Sequence, residues 1–244
     1  FRIGEVKQLN GNPRLWQVEL TLTSDNDPQL KQLTEKIQEE TQGATGWLRL
    51  GQLLIKMAQF DKAEELYKIL LKETTNQGEK SHLFHHLGYI KDNQGRYTEA
   101  LEYYEKDLEI TKKTLPTNHP NLATSYNNIG LVYISMGEYS KALEYYEKSL
   151  EIRKKALPAN HPSLATSYSN FGSLYNRMGE YSKALEYYEK SLEIDQKTLP
   201  ANHPDFAQSY NNIGLVYDSM GEYSKALEYY EKSIEIYQKT LPAN

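Results

Sequence analysis

The stretch HPNLATSYNNIGLVY at residues 119–133 decides the fold, because it returns at a fixed interval. It reappears as HPSLATSYSNFGSLY at 161–175 and as HPDFAQSYNNIGLVY at 203–217, each time 42 residues later. Self-similarity with a period of about 20–50 residues indicates a chain built by stacking copies of one small unit. We therefore expect a repeat array rather than a single globular core.

Five glycines mark the equivalent point in five units. They are spaced by 37, 42, 42 and 42 residues: Gly51, Gly88, Gly130, Gly172 and Gly214. When this glycine is numbered position 8, position 4 is aromatic, position 7 is a large apolar residue, position 20 is alanine and position 24 is tyrosine. This pattern predicts two helices that nest closely at the glycine. The predicted units, repeats 1 to 5, are 44–80, 81–122, 123–164, 165–206 and 207–244.

These positions resemble the tetratricopeptide repeat. The 42-residue spacing, with NNIG in the first helix and LPANHP between units, is similar to the kinesin light chain subtype. The resemblance implies an all-α fold, a right-handed superhelical solenoid in which helix A of each repeat lines the concave surface and helix B lies outside. MGEYS is then the turn between the helices, and the proline after each repeated histidine starts helix A. The chain stops at LPAN, which leaves the last helix B exposed or covered by residues of a longer parent.

Residues 1–43 do not follow the repeat. LWQVELTL at 15–22 alternates apolar and polar residues, and NGNP at 10–13 is a turn signal, so we expect a β-hairpin over 1–23. A leading helix and linker are expected over 24–43. The hairpin resembles the closing strands of a mono-ADP-ribosyltransferase domain, which implies a catalytic domain before Phe1. An unrelated hairpin packed on the first helix is the alternative.

The composition bears on the class of protein. The net charge is −5 without a basic stripe, which argues against a nucleic acid partner. The absence of cysteine excludes disulfides and thiol chemistry. No apolar run approaches the roughly 20 residues of a membrane helix and no signal peptide is evident, so we expect a cytoplasmic protein without membrane contact. No catalytic or nucleotide-binding motif is present, so we expect no enzyme activity and no cofactor for this chain.

Repeats 3 to 5 differ mainly on one stripe of helix A. MGEYSKALEYYEKS is identical at 136–149, 178–191 and 220–233, whereas helix A varies at positions 2, 5, 9, 12 and 13, which lie on one helical face. Positions 7 and 10 only exchange one apolar residue for another, as core packing allows. We interpret these five positions, together with position 6 beside them, as a stripe that binds an extended peptide or partner segment.

Position 6 is asparagine in all three repeats. An amide offers donors and an acceptor, so Asn128, Asn170 and Asn212 can clamp the main chain of a peptide, a part that the resemblance implies for them. The alternative is that these amides bond to the adjacent helix A and steady the stack. The other residues predicted to line the groove are Asn127, Ser169, Asn211, Leu131, Leu215, Asn176, Arg177, Asp218, His86 and Tyr89.

Other polar clusters predict no chemistry. HLFHH at 82–86 places three histidines on one helix face but lacks the further ligands of a metal site, so no metal is expected. The histidines before each proline are predicted to be helix caps or turn residues. Position 5 carries no lysine, which argues against a chaperone co-factor. Besides a protein-binding scaffold, two functions stay open: the regulatory or substrate-recruiting part of a mono-ADP-ribosyltransferase, and a spacer without a ligand. The sequence leaves the oligomeric state open.

Overall fold

The computed structural model describes residues 2–8, 16–21, 46–200 and 202–240. Within these ranges the elements are β1 (Arg2–Gln8), β2 (Trp16–Thr21), α1 (Gly46–Lys56), α2 (Phe60–Glu73), α3 (Gln77–Asn93), α4 (Tyr97–Thr114), α5 (Pro120–Ser135), α6 (Tyr139–Ala156), α7 (Pro162–Arg177), α8 (Tyr181–Thr198), α9 (Pro204–Ser219) and α10 (Tyr223–Thr240). The chain divides into two compact units, Phe1–Gln59 and Phe60–Asn244.

The first unit holds the two strands and α1. The strands run antiparallel, with Ile3 opposite Leu20 and Val6 opposite Val18, and their register shifts between Ile3 and Val6. The turn expected at 10–13 and the helix expected over 24–43 lie outside the described residues. The likeness of the strands to a transferase domain stays a prediction.

The second unit is a series of helix pairs. Helices A and B of repeats 2 to 5 are α3 with α4, α5 with α6, α7 with α8 and α9 with α10, and α2 is helix B of repeat 1. Each pair packs on the next along the chain. The predicted all-α fold of stacked helix–turn–helix repeats is confirmed.

The glycine at position 8 lets the two helices of a repeat touch. A Cβ atom on Gly130 would lie 2.6 Å from the ring of Tyr146, and one on Gly172 would lie 2.8 Å from the ring of Tyr188. Both tyrosines are buried. The nesting of positions 8 and 24 predicted from the sequence is therefore confirmed, and any larger side chain at position 8 must displace an aromatic ring.

The turn inside each repeat needs a residue in the left-handed backbone region. Gly95, Gly137, Gly179 and Gly221 occupy position 15 there, with φ of 72, 76, 77 and 78°. Glycine adopts this conformation freely because it lacks a Cβ atom. In repeat 1 the same place is taken by Ala58, with φ of 54°.

The repeat core follows the sequence pattern. The residues at positions 7 and 10 of repeats 3 to 5 are at most 2% exposed: Ile129, Val132, Phe171, Leu174, Ile213 and Val216. The predicted histidine caps are also confirmed. The Nδ1 atoms of His119, His161 and His203 accept hydrogen bonds from the backbone N–H two residues later, at 3.2, 3.1 and 3.3 Å.

The outer face of α10 is exposed. Tyr223, Leu227 and Ile234 are 70%, 58% and 53% exposed. Leu143 and Leu185, the counterparts of Leu227 in α6 and α8, belong to the apolar core that those helices share with their neighbours.

Candidate functional site

The apolar side chains predicted for the groove are accessible. Leu131 and Leu215, both at position 9, are 39% and 44% exposed, and Tyr89 at the same position of repeat 2 is 43% exposed. These residues contribute little to the core, because positions 7 and 10 fill it. They are therefore free to contact a partner.

The polar residues of the stripe lie at different depths. Arg177 and Asp218 are exposed, whereas Asn127, Ser169 and Asn211 are half-buried. The stripe thus carries exposed groups at positions 9, 12 and 13 and half-buried amides and hydroxyls at positions 5 and 6.

The asparagines at position 6 bond mainly to the preceding repeat. Nδ2 of Asn170 donates to Oδ1 of Asn127 at 2.8 Å, and Nδ2 of Asn128 lies 3.4 Å from Nδ1 of His85. Asn212 instead accepts from Gln208 of its own helix at 2.9 Å. Two of the three amides thus form the contacts of the stacking alternative. Each such bond uses only part of the capacity of an amide, which has two N–H donors and an acceptor oxygen.

At position 9, repeat 4 has a polar residue where repeats 3 and 5 have leucine. Ser173 stands at position 9 in place of leucine, and it hydrogen-bonds to Tyr188, whose pKa is raised by burial against the effect of this bond. Among the described residues, the side-chain oxygen of Asn176 and the hydroxyl of Tyr146 are buried without a hydrogen-bond partner. Arg177 forms no ion pair with a described residue. One buried polar atom in repeat 3 and one in repeat 4 therefore lack a hydrogen-bond partner among the described residues.

His86, which is predicted to line the groove, is half-buried. Its ring stacks on Tyr67, with 5.1 Å between the ring centroids. Burial, reinforced by the neighbouring His85 and His82, lowers the pKa of His86 to about 4. In the part of the chain that the structure describes, no group of three or more His, Cys, Asp or Glu side chains is arranged to hold a metal ion.

Asp107 is a buried polar centre that the sequence reasoning missed. It takes position 27, which is serine in repeats 3 to 5, and accepts hydrogen bonds from Ser81 of α3 and, at 2.7 Å, from Ser125 of α5. His85 lies 3.9 Å from its carboxylate. Burial alone would raise the pKa of Asp107, but the nearby His85 and the hydrogen bonds from Ser81 and Ser125 outweigh it and hold this pKa below its usual value.

A buried ion pair between α2 and α3 was also missed. Lys91 is 0% exposed, and its Nζ lies 2.7 Å from a carboxylate oxygen of Glu64 and 3.5 Å from one of Glu99. Burial raises the pKa of Glu64, but hydrogen bonds from Lys68 and Lys91 outweigh it and lower this pKa. The signal was present in the sequence, since repeats 3 to 5 have tyrosine where Lys91 stands and repeats 2 to 5 have leucine where Glu64 stands.

None of the helices in the described ranges combines the length and hydrophobicity needed to span a bilayer. The described surface carries many pairs of lysine and glutamate one helical turn apart on the B helices, such as Glu144 with Lys148 at 2.5 Å. Such exposed pairs add little stability and form a solvated outer face, as expected from the sequence.

Comparison with known proteins agrees with the repeat architecture. The tetratricopeptide repeat family matches residues 79–155 and 159–239, and a second description of the same repeat matches 47–81. No curated protein matches the sequence.

Solved structures share the fold. The nearly identical TPR-like repeats of a kinesin light chain from Podospora anserina are 26% identical, with a TM-score of 0.67 over 81% of this chain and 96% of that one. BtubC from P. vanneervenii is 23% identical, with a TM-score of 0.68 over 88% and 92% of the two chains. A Rap protein complexed with Competence and Sporulation Factor is 20% identical, with a TM-score of 0.68 over 85% of this chain and 59% of that one.

Proposed function

The chain belongs to the tetratricopeptide repeat family, and we propose that its repeats bind an extended segment of a partner protein along the stripe on α5, α7 and α9. The fold and its relatives indicate a protein-interaction scaffold. One solved relative is a Rap protein complexed with Competence and Sporulation Factor, which is compatible with recognition by this fold.

The observation that carries the proposal is the distribution of differences among repeats 3 to 5. The turn and most of helix B are identical over 14 residues in all three copies. In helix A the differences lie on the stripe or exchange one core residue for another, apart from the first turn, where Asn121, Ser163 and Asp205 correspond. Leu131 and Leu215 are 39% and 44% exposed, and repeat 4 has Ser173 at the same position, so the repeat does not require leucine there. Variation concentrated on an accessible stripe of helix A is what a surface selecting a ligand requires.

The two parts of the stripe have different tasks. Asn128 and Asn170 bond to the preceding helix A and Asn212 bonds within its own helix, and all three offer their remaining hydrogen-bonding capacity to the main chain of the ligand. Leu131 and Leu215 provide apolar contacts that depend on the side chains of the ligand. Because the stacked helices fix this surface before binding, little conformational entropy is lost and modest contacts give useful affinity.

The test is selection of random peptides on the full chain, followed by affinity measurement on two variants. Leu131→Ser with Leu215→Ser introduces the residue that repeat 4 has at this position, and we expect at least about tenfold weaker binding, as for two lost apolar contacts. The control is Glu151→Ser with Glu193→Ser, on exposed sites of the outer face. Equal binding by both variants, or no enriched peptide, would favour a spacer without a ligand.

A further inference from the structure

Arg177 gives the stripe a single localised positive charge. Across repeats 2 to 5 no other lysine or arginine stands at a stripe position, and the counterparts of Arg177 in repeats 3 and 5 are Ser135 and Ser219. Arg177 is exposed and borders a shallow cavity of about 380 Å³ at the turns of repeats 3 and 4. Glu138 also lines this cavity, but its carboxylate lies 3.5 Å from Lys141. The guanidinium therefore lacks a counter-ion within the described array.

The surroundings of Arg177 contain polar atoms that need a partner. The neighbouring Asn176 has a buried side-chain oxygen without a hydrogen bond to any described residue. The hydroxyl of Tyr146 is also buried and also lacks a hydrogen-bond partner among the described residues. The ring of Tyr146 contacts Phe171 of α7, with 5.6 Å between centroids, so Tyr146 belongs to the junction of repeats 3 and 4. Buried polar groups without partners are unfavourable.

Apolar side chains lie on either side of this junction. Leu131 in repeat 3 and Leu215 in repeat 5 are both well exposed, whereas Ser173 stands at the same position between them. Packed helices lie about 8–10 Å apart and an extended chain advances about 3.3 Å per residue, so each repeat spans about three ligand residues. A ligand residue opposite Arg177 is then about three residues from each neighbour that meets a leucine.

The charges along the stripe favour an acidic residue at only one place. Arg177 attracts a carboxylate at repeat 4, whereas the exposed Asp218 repels one at repeat 5. The net charge of −5 would by itself favour basic partners, so Arg177 is a local exception.

Building on the proposed function, we infer that the stripe selects an extended protein segment with a central Glu or Asp bound by Arg177 and an apolar side chain about three residues away on each side. Arg177 forms a charge-assisted hydrogen bond with the central carboxylate. Leu131 and Leu215 contact the two apolar side chains.

The test is a selection of random peptides of about twelve residues, long enough to cross three repeats, on the full chain and on Arg177→Ser in parallel. Enriched peptides are then synthesised with Glu, Gln or Lys at the centre, and their Kd values are measured by fluorescence polarisation. We expect the unaltered chain to prefer Glu over Gln by about tenfold, the usual scale for a charged hydrogen bond. Arg177→Ser should lose this preference, and Arg177→Glu should prefer Lys.

The control variant Lys155→Ser makes the same change in net charge on the outer face, and it should keep the preference for Glu. Peptides that depend on Leu131 and Leu215 but show no preference at the centre would overturn this inference and leave the proposed function standing. Peptide binding that is indifferent to every stripe substitution would overturn both. Loss of the preference in Lys155→Ser as well would show that overall charge, rather than Arg177, sets it.

Discussion

The junction between repeats 1 and 2 differs from the later junctions at two equivalent positions. Glu64 and Lys91 form a buried ion pair there, whereas the junction of repeats 3 and 4 has Leu143 and Tyr175 in one apolar core. The same arrangement of helices therefore accommodates either an ion pair or two apolar side chains at these positions. Apolar side chains of similar volume generally stabilise as much as a buried pair or more, but they do not discriminate between neighbours. The ion pair gives repeat 2 a contact that only repeat 1 can complete.

The junctions also differ at position 31, which faces the serine at position 3 of the next repeat. Arg153 donates to Ser167 at 2.6 Å, and Asp195 lies 3.5 Å from Ser209. Burial lowers the pKa of Arg153 and raises that of Asp195. Near-identical repeats thus retain a distinct polar contact at each joint.

The largest expected effect comes from breaking the ion pair on one side. Lys91→Tyr removes the buried partner of Glu64 and leaves it only the half-exposed Lys68, and we expect a loss of up to about 3–5 kcal/mol in the free energy of unfolding. The double variant Glu64→Leu with Lys91→Tyr installs the residues of the later junctions, and it should be as stable as the unaltered chain or more so. Urea unfolding followed by circular dichroism measures both. If the double variant were as unstable as the single one, the junctions would not be interchangeable.

A smaller effect should appear in acid through His86. Its folded pKa of about 4 lies below the ordinary value of 6.5, so the unfolded chain takes up a proton that the folded chain does not. The contribution of His86 to the free energy of unfolding is fully present above pH 6.5. It is lost as the pH falls towards 4, by about 3 kcal/mol at most. His86→Asn, which installs the residue of repeats 3 to 5, should remove this loss. The difference between unfolding curves of the two proteins from pH 7 to 4 is decisive, and a constant difference would contradict the assignment.

The smallest effect concerns the turn of repeat 1. Ala58→Gly relieves a left-handed alanine and should stabilise the chain by about 0.5–1 kcal/mol, since the gain exceeds the added flexibility of the unfolded state. Gly137→Ala makes the reverse change at the same place in repeat 3 and should be destabilising. Thermal unfolding of the two variants shows whether each substitution stabilises or destabilises the chain. A stabilising Gly137→Ala would show that the turns are not equivalent.

The repeat architecture was predictable from the sequence because its signals are local and recur. Gly130 and Tyr146 hold fixed places in a 42-residue period, and each repetition adds independent support for their contact. Glu64, Lys91 and Asp107 were not predicted to be buried partners, because each occurs once and the chance of a surface location is high for charged residues. The sequence shows that these residues differ in type from their counterparts in the other repeats. Only the packed structure shows whether such a residue contacts a partner of opposite charge or a hydrogen-bond donor.

The candidate surface was predictable only in part. Exposure of Leu131, Leu215 and Arg177 follows from helical periodicity, since they lie opposite the core positions. The bond between Asn170 and Asn127 does not, because it depends on how closely two helices A approach. The sequence could offer two roles for that amide, and the structure shows one of them without removing its capacity for the other.

The turns and most of the B helices of repeats 3 to 5 have the same sequence, which bears on how such a chain can change during evolution. Because α6 and α8 share their first fourteen residues, the surface that α8 offers to α9 is largely offered by α6 as well. Removing residues 165–206 would delete one whole repeat, including Ser173, Asn176 and Arg177, and join α6 to α9 across a familiar interface. Unequal recombination between the copies can therefore erase or duplicate a recognition element in one step, without a new hydrophobic core having to arise.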